Sequence, residues 1–210
     1  MFLTIDEPKL VRAAVEEVGD GTEHLRVAID DRGRAARLHD SLIGVGCHEV
    51  RSTVHLALVP PLRVVPGPHD LLVEELAGVS ELPAWARVKL QSFDDSESEP
   101  SPDRIADEVQ KLVAELPLTR LCIGAIGAER VAVLAHYTGN DQLVFNLGTR
   151  LSYRHRGIAQ AMLAHWVAEG EAAGCRSLII NGTEGGRPAE LYKSIGFVDE
   201  VYWYKLYELG

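Results

Sequence analysis

The sequence predicts an α/β protein in which helices flank a mixed, mostly antiparallel sheet, preceded by a smaller α/β lobe. Three observations carry this. Between Asp70 and Gly210, runs with strand alternation and runs with helical spacing follow in the order β–α–α–β–β–β–α–β–α–β. Three of those strands are separated only by Gly127-Ala128-Glu129 and Thr138-Gly139-Asn140-Asp141, turns short enough for antiparallel neighbours alone. The run RSLIIN (Arg176–Asn181) is short and apolar, the pattern of a strand buried on both faces.

LRVAID (Leu25–Asp30) and STVHLALV (Ser52–Val59) read as strands around GRAARLHDSLIGV (Gly33–Val45). VPPLRVVPGPHD (Val59–Asp70) holds four Pro and a Gly and reads as a linker, which gives a lobe over 1–66 and a domain over 70–210. DLLVEEL is a strand and PAWARVKLQSF a helix. DDSESEPSPD (Asp94–Asp103) is acidic and reads as an exposed loop. Asp103 is the expected N-cap of RIADEVQKLVAEL, whose Ile105, Val109, Leu112, Val113 and Leu116 keep helical spacing. The meander RLCIGAIG, RVAVLAHY and QLVFNLGT follows. In RHRGIAQAMLAHWVAEGEAAG the expected buried stripe is Ile158, Ala161, Met162, His165 and Trp166, with Gly174 as the stop. GRPAELYKSIGF (Gly186–Phe197) is a short helix ending at a Gly, and EVYWYKLYEL alternates as a last strand.

Composition excludes several classes. The 210 residues include 21 Lys and Arg against 31 Asp and Glu, a net charge of −10, which disfavours nucleic acid as a partner. Cys47, Cys122 and Cys175 are scattered and form no C-x-x-C, so they read as reduced thiols of a cytoplasmic protein. MFLTIDEPKL lacks the pattern of a signal peptide, and no run approaches the roughly 18 apolar residues that a membrane span needs. The eight His show neither H-x-x-x-H nor H-E-x-x-H spacing, so no metal is expected.

The chemistry-bearing motif is TRLSYRHRGIAQAML, centred on Arg154-x-x-Gly157-x-Ala159. A Gly-permissive turn at a helix start lets several N–H groups face one spot, and the helix dipole favours an anion there. Phosphate of a nucleotide or coenzyme is the expected guest.

With strand, turn, helix, buried strand, then Leu191-Tyr192 and Gly196-Phe197, residues 70–210 resemble the GCN5-related N-acetyltransferases. That family's pyrophosphate loop, Gln/Arg-x-x-Gly-x-Gly/Ala, is matched by Arg154, Gly157 and Ala159, and its later lY-x-x-x-GF segment by Leu191, Tyr192, Gly196 and Phe197. The resemblance implies the acyl-CoA N-acyltransferase fold and acetyl-CoA as co-substrate. It further implies transfer of an acetyl group to an amine of a small molecule or peptide, by direct attack and without a metal. It implies that the backbone of Thr149, Arg150 and Leu151 meets the pantetheine arm, and that Arg154 and the amides of His155, Arg156, Gly157, Ile158, Ala159 and Gln160 meet the pyrophosphate. Many members carry Asn where Gly185 stands, so nearby Asn181 becomes the candidate for that contact.

The resemblance also implies that Tyr192 is the acid or hydrogen-bond donor to the leaving thiolate, a packing Tyr anchored by its hydroxyl being the alternative. Full proton transfer from a Tyr of pKa about 10 to a thiolate whose acid has pKa about 8.5 is uphill by roughly 2 kcal/mol, so a hydrogen bond is the simpler role. QLVFNLGT contains no carboxylate, leaving His136, Glu184 or a water relay as candidate bases. A non-catalytic coenzyme-binding sensor or scaffold of the same fold is the alternative, and a homodimer is an allowed assembly.

The early string Gly33-Arg34-x-Ala36-x-Leu38-His39-x-Ser41 echoes Gly186-Arg187-x-Ala189-x-Leu191-Tyr192-x-Ser194. The simple reading is a degenerate half copy made of a strand, a helix and two strands. A chance match over a dozen residues rich in Ala and Leu is the other.

Overall fold

A computed structural model describes residues 26–94 and 98–209, together with Pro8 and Val11. The segment MFLTIDEPKL other than Pro8, and the centre of the acidic loop at 95–97, lie outside the described residues.

The fold is mixed α/β, with eight strands in one sheet, mostly antiparallel, and helices flanking it. The strands are β1 (Arg26–Ile29), β2 (Cys47–Leu58), β3 (Leu71–Glu75), β4 (Thr119–Ile126), β5 (Glu129–Tyr137), β6 (Asp141–Thr149), β7 (Ser177–Thr183) and β8 (Phe197–Leu209). The helices are α1 (Arg32–Gly44), α2 (Leu82–Phe93), α3 (Pro102–Glu115), α4 (Ile158–Ala172) and α5 (Arg187–Ile195). Sheet order is β1-β8-β2-β7-β6-β5-β4-β3. The chain forms two compact units: Met1–Leu56 with Asn181–Lys193 and Val198–Gly210, and Ala57–Ile180 with Ser194–Phe197.

In the first unit, Asp31 caps α1 by accepting from the Arg34 N–H at 2.6 Å. Ala35, Leu38 and Leu42, spaced three and four apart, form its buried stripe. β1 pairs antiparallel with β8, from Arg26↔Glu208 to Ile29↔Lys205. The buried Tyr207 hydroxyl lies 3.1 Å from His39 Nδ1. β1-α1-β2 and β7-α5-β8 are the two pieces that echo in sequence, and they interleave: the last strand of each lies between the two strands of the other. The early piece has one strand after its helix where the sequence suggested two. The 12-residue β2 fills the stretch from Cys47 to Leu58 as one strand.

In the second unit, β4, β5 and β6 form the expected antiparallel meander, β3 adds antiparallel to the β4 edge, and β6 pairs parallel with β7. Leu82, Trp85, Ala86 and Val88 of α2 and Leu112 of α3 pack on Leu121, Ile123, Val133 and Ala135. Trp85 is fully buried and donates its indole N–H to the Cys122 carbonyl at 2.9 Å. Burying about 200 Å² of a Trp at about 25 cal/mol/Å² contributes roughly 5 kcal/mol before entropy is charged against it. Strand alternation turns Gly124 and His136 to the other face, where Met162 and Trp166 of α4 cover them.

Three local expectations are corrected. The cap of α3 is Ser101, which accepts from the Arg104 N–H at 3.3 Å. Asp103 falls inside the first turn, because Pro102 is well suited to the first helical position. The buried stripe of α4 is Ile158, Met162, Leu163, Trp166, Val167 and Gly170, rotated so that Ala161 and His165 sit at its margin. β7 is buried at Leu178 and Ile180 and only half-buried at Ile179, so it alternates.

Candidate functional site

The candidate site in the second unit is the end of β6 and the turn into α4. His136 pairs with Val144 and Ala135 with Asn146, so Phe145 is an extra residue and β6 bulges there. The ladder from β6 to β7 runs only from Asp141↔Ser177 to Val144↔Ile180. Beyond the bulge, β6 continues to Thr149 without a ladder partner on that edge. The Arg150 N–H goes to the Val131 carbonyl at 2.9 Å, and alternation therefore turns the main-chain groups of Leu147 and Thr149 to the open edge.

A single 3-10 turn, Leu151–Tyr153, then leads into the cradle. His155 has φ 61° and Gly157 has φ 76°, both left-handed, on either side of Arg156. Such alternation turns successive N–H groups toward one concavity. Gly157 caps α4 without a side-chain bond, and the first turn holds no acidic residue. The first intrahelical donor is Ala161, to the Gly157 carbonyl at 2.9 Å. The N–H groups of Ile158, Ala159 and Gln160 are thus the orphans of a helix start, at the positive end of its dipole. A diphosphate fits this donor set: main-chain hydrogens, a free dipole, and the Arg156 and His155 side chains exposed beside it.

The proline-rich segment before β3 braces the cradle. The Val65 N–H donates to Gln160 Oε1 at 2.7 Å. A Cβ on Gly67 would lie 2.6 Å from Ala161 Cβ, so only Gly lets this segment lie on α4. A Cβ on Gly157 would lie 3.3 Å from the Pro66 carbonyl oxygen. The segment also donates from Val59 and Arg63 to the carbonyls of Gly196 and Ile195, at 2.9 and 2.8 Å.

The other sequence-nominated residues are placed as follows. Arg154 turns inward: its guanidinium donates to the carbonyls of Ser92 at 2.7 Å and Thr149 at 3.2 Å, tying α2 to the end of β6. Its side chain thus works as a brace, and Thr149 Oγ1 is buried without a partner beside it. Arg150 donates to Glu129 and to the Arg130 carbonyl. Leu151 is exposed. His136 is 2% exposed; its Nδ1 lies 3.2 Å from the Tyr137 carbonyl oxygen and its Nε2 is buried without a partner. Burial lowers its pKa, so the ring is neutral and enclosed.

In the first unit, Asn181 is half-buried on β7. Glu184 accepts from Arg32 at 2.8 Å and from the Trp203 indole at 2.8 Å, and Arg32 also pairs with Glu200 and stacks over Trp203 at 4.9 Å. The Arg32 guanidinium holds the Glu184 carboxyl below its usual range, which makes it a weak base. Tyr192 is 6% exposed, and burial pushes its hydroxyl up to about 12. It therefore stays protonated as a hydrogen-bond donor, and full transfer to a thiolate becomes uphill by roughly 5 kcal/mol. Among the described residues, no group of three His, Cys, Asp or Glu is placed to hold a metal, and no helix is long and apolar enough to cross a membrane.

Sequence reasoning missed the bracing by Gln160 and Gly67. The proline-rich composition suggested a free linker, and nothing in it signalled docking on α4.

The fold is that of the GCN5-related N-acetyltransferases. A protein of that description from Kribbella flavida superposes with TM-score 0.64 at 18% identity, covering 97% of this chain and 77% of its own. One from Sphaerobacter thermophilus gives TM-score 0.67 at 18% identity, covering 95% and 66%. A tandem GNAT protein from the clavulanic acid biosynthesis pathway gives 0.61 at 12% identity, covering 95% and 68%. No protein-family model matches the sequence, and no curated protein does.

Proposed function

We propose that the protein is an acyl-CoA-dependent N-acyltransferase that uses acetyl-CoA and acetylates an amine of a small molecule or peptide. The observation that supports this most is the cradle: left-handed His155 and Gly157 opening on three unclaimed helix-start amides, directly after a bulged strand with an open edge. In this reading the amides of residues 155–160 hold the pyrophosphate, and the main chain of Leu147 with the Thr149 N–H, whose own carbonyl is held by Arg154, takes the pantetheine amides by strand-like pairing. When bound, the coenzyme supplies an activated thioester. The protein orients that group, and Tyr192, kept protonated by burial, donates a hydrogen bond to the sulfur. The amine is deprotonated through water, since His136 is enclosed and Glu184 is tied to Arg32. Three cysteines free of disulfides fit a cytoplasmic protein.

A second reading, a coenzyme-binding sensor without turnover, draws on those same two residues, neither of which is a ready base. Calorimetry with acetyl-CoA followed by a thiol-release assay over an amine panel separates the two. Micromolar binding with turnover supports the enzyme, binding without turnover supports the sensor, and no binding removes both.

A further inference from the structure

A second concavity lies in the same unit. A cleft of about 440 Å³ opens between α2 and the β4–β5 turn, within the size range of small-molecule sites. Among the described residues, its charged lining consists of Arg87, Arg130 and Arg150 with Glu99 and Glu129. Arg87 pairs with Glu99 at 2.9 Å, and Arg150 with Glu129 at 3.2 Å. Arg130 makes no side-chain hydrogen bond or ion pair among the described residues. The described lining is therefore one positive charge in excess, in a chain whose net charge is −10. Such a chain repels anions in general, so three guanidinium groups gathered in one cleft run against that field.

We infer that this cleft binds a phosphate monoester, with Arg130 as the primary ligand and Arg87 and Arg150 closing on it. A carboxylate offers two oxygens and is saturated by one guanidinium fork, whereas a phosphate ester offers three and carries close to two charges at neutral pH. The existing Glu99 and Glu129 pairs do not oppose this. Both are half-exposed on at least one side, and such pairs contribute at most about 1 kcal/mol, so exchanging either carboxylate for a phosphate costs little, while Arg150 keeps its bond to the Arg130 carbonyl and its stacking on Tyr153. The ester belongs either to the coenzyme's own ribose 3′-phosphate or to a separate phosphorylated metabolite. The first source rests on the acyltransferase reading; the second does not.

The test titrates inorganic phosphate at constant ionic strength into the full chain labelled with ¹⁵N-arginine, and follows the side-chain Nε–H signals. The site requires a saturable shift of Arg130 and Arg150 below about 50 mM, weakened about tenfold or more in Arg130→Ala. Exposed and unpaired, Arg130 can be removed without unfolding the chain. Calorimetry with coenzyme A and its 3′-dephospho form then assigns the source. A preference of about tenfold for coenzyme A that vanishes in Arg130→Ala makes the ester the coenzyme's. Equal affinities, or no coenzyme binding at all, alongside the phosphate shifts make it a separate metabolite. A linear, non-saturating response, or one that Arg130→Ala leaves unchanged, overturns the inference.

Discussion

Replacing Gly157 by Asn and by Asp separates backbone strain from charge at the cradle. With φ at 76°, any side chain here costs about 1–2 kcal/mol, and its Cβ would press on the Pro66 carbonyl oxygen at 3.3 Å. Neither variant can relieve this by capping α4, because an N-cap side chain works from extended backbone. Both should therefore lose stability alike, by about 2–8 °C in melting temperature. They differ in charge alone. A carboxylate about 5 Å from one phosphate charge repels it by about 1–3 kcal/mol for an effective dielectric constant between about 80 and 20. Coenzyme affinity of Gly157→Asp should thus fall about 5- to 150-fold below that of Gly157→Asn, with the gap narrowing in salt. Calorimetry at two ionic strengths, beside thermal melts, makes the comparison. Equal affinities for the two variants would refute the placing of an anion at this turn.

Further outcomes are expected elsewhere. Tyr192→Phe should lower turnover at least about tenfold and leave coenzyme affinity within about twofold, as fits a donor used only in the transition state. Because burial raises this hydroxyl to about 12, the unfolded chain ionises first, and stability is lost as pH rises from about 10 to 12, by up to roughly 3 kcal/mol. Tyr192→Phe should lack that component in urea melts; identical slopes for both proteins would contradict it. Glu184 and Glu200 are held below their usual range by Arg32, so their contribution is present above the ordinary Glu pKa and lost as pH falls through the lowered values. The stability advantage of wild type over Arg32→Gln should therefore be modest at pH 7, about 1 kcal/mol or less, and should vanish in acid. Ser101→Ala should cost about 1 kcal/mol, more than Asp103→Asn, which alters only a charge near the helix dipole.

Much of the fold is legible in the residues, because short-range rules decide it. Two tight turns force the meander, and the helical spacing around Leu112 and Trp166 places α3 and α4 within a residue or two. The cradle is legible too: Gly157 before an uncharged first turn is a local signal. What fails to show is long-range. That β2 lies between β8 and β7 depends on pairing across more than a hundred residues, which alternation cannot specify. The family resemblance made Arg154 a phosphate ligand, but Ser92, 62 positions away, takes its guanidinium. The acidity of Glu184 is likewise set by Arg32, 152 positions upstream.

The central claim is best tested by a crystal structure of the full chain with coenzyme A. Diphosphate oxygens should lie within hydrogen-bond reach of the amide nitrogens of residues 155–160, about 2.7–3.2 Å. Coenzyme density elsewhere, with those amides still unclaimed, would contradict it.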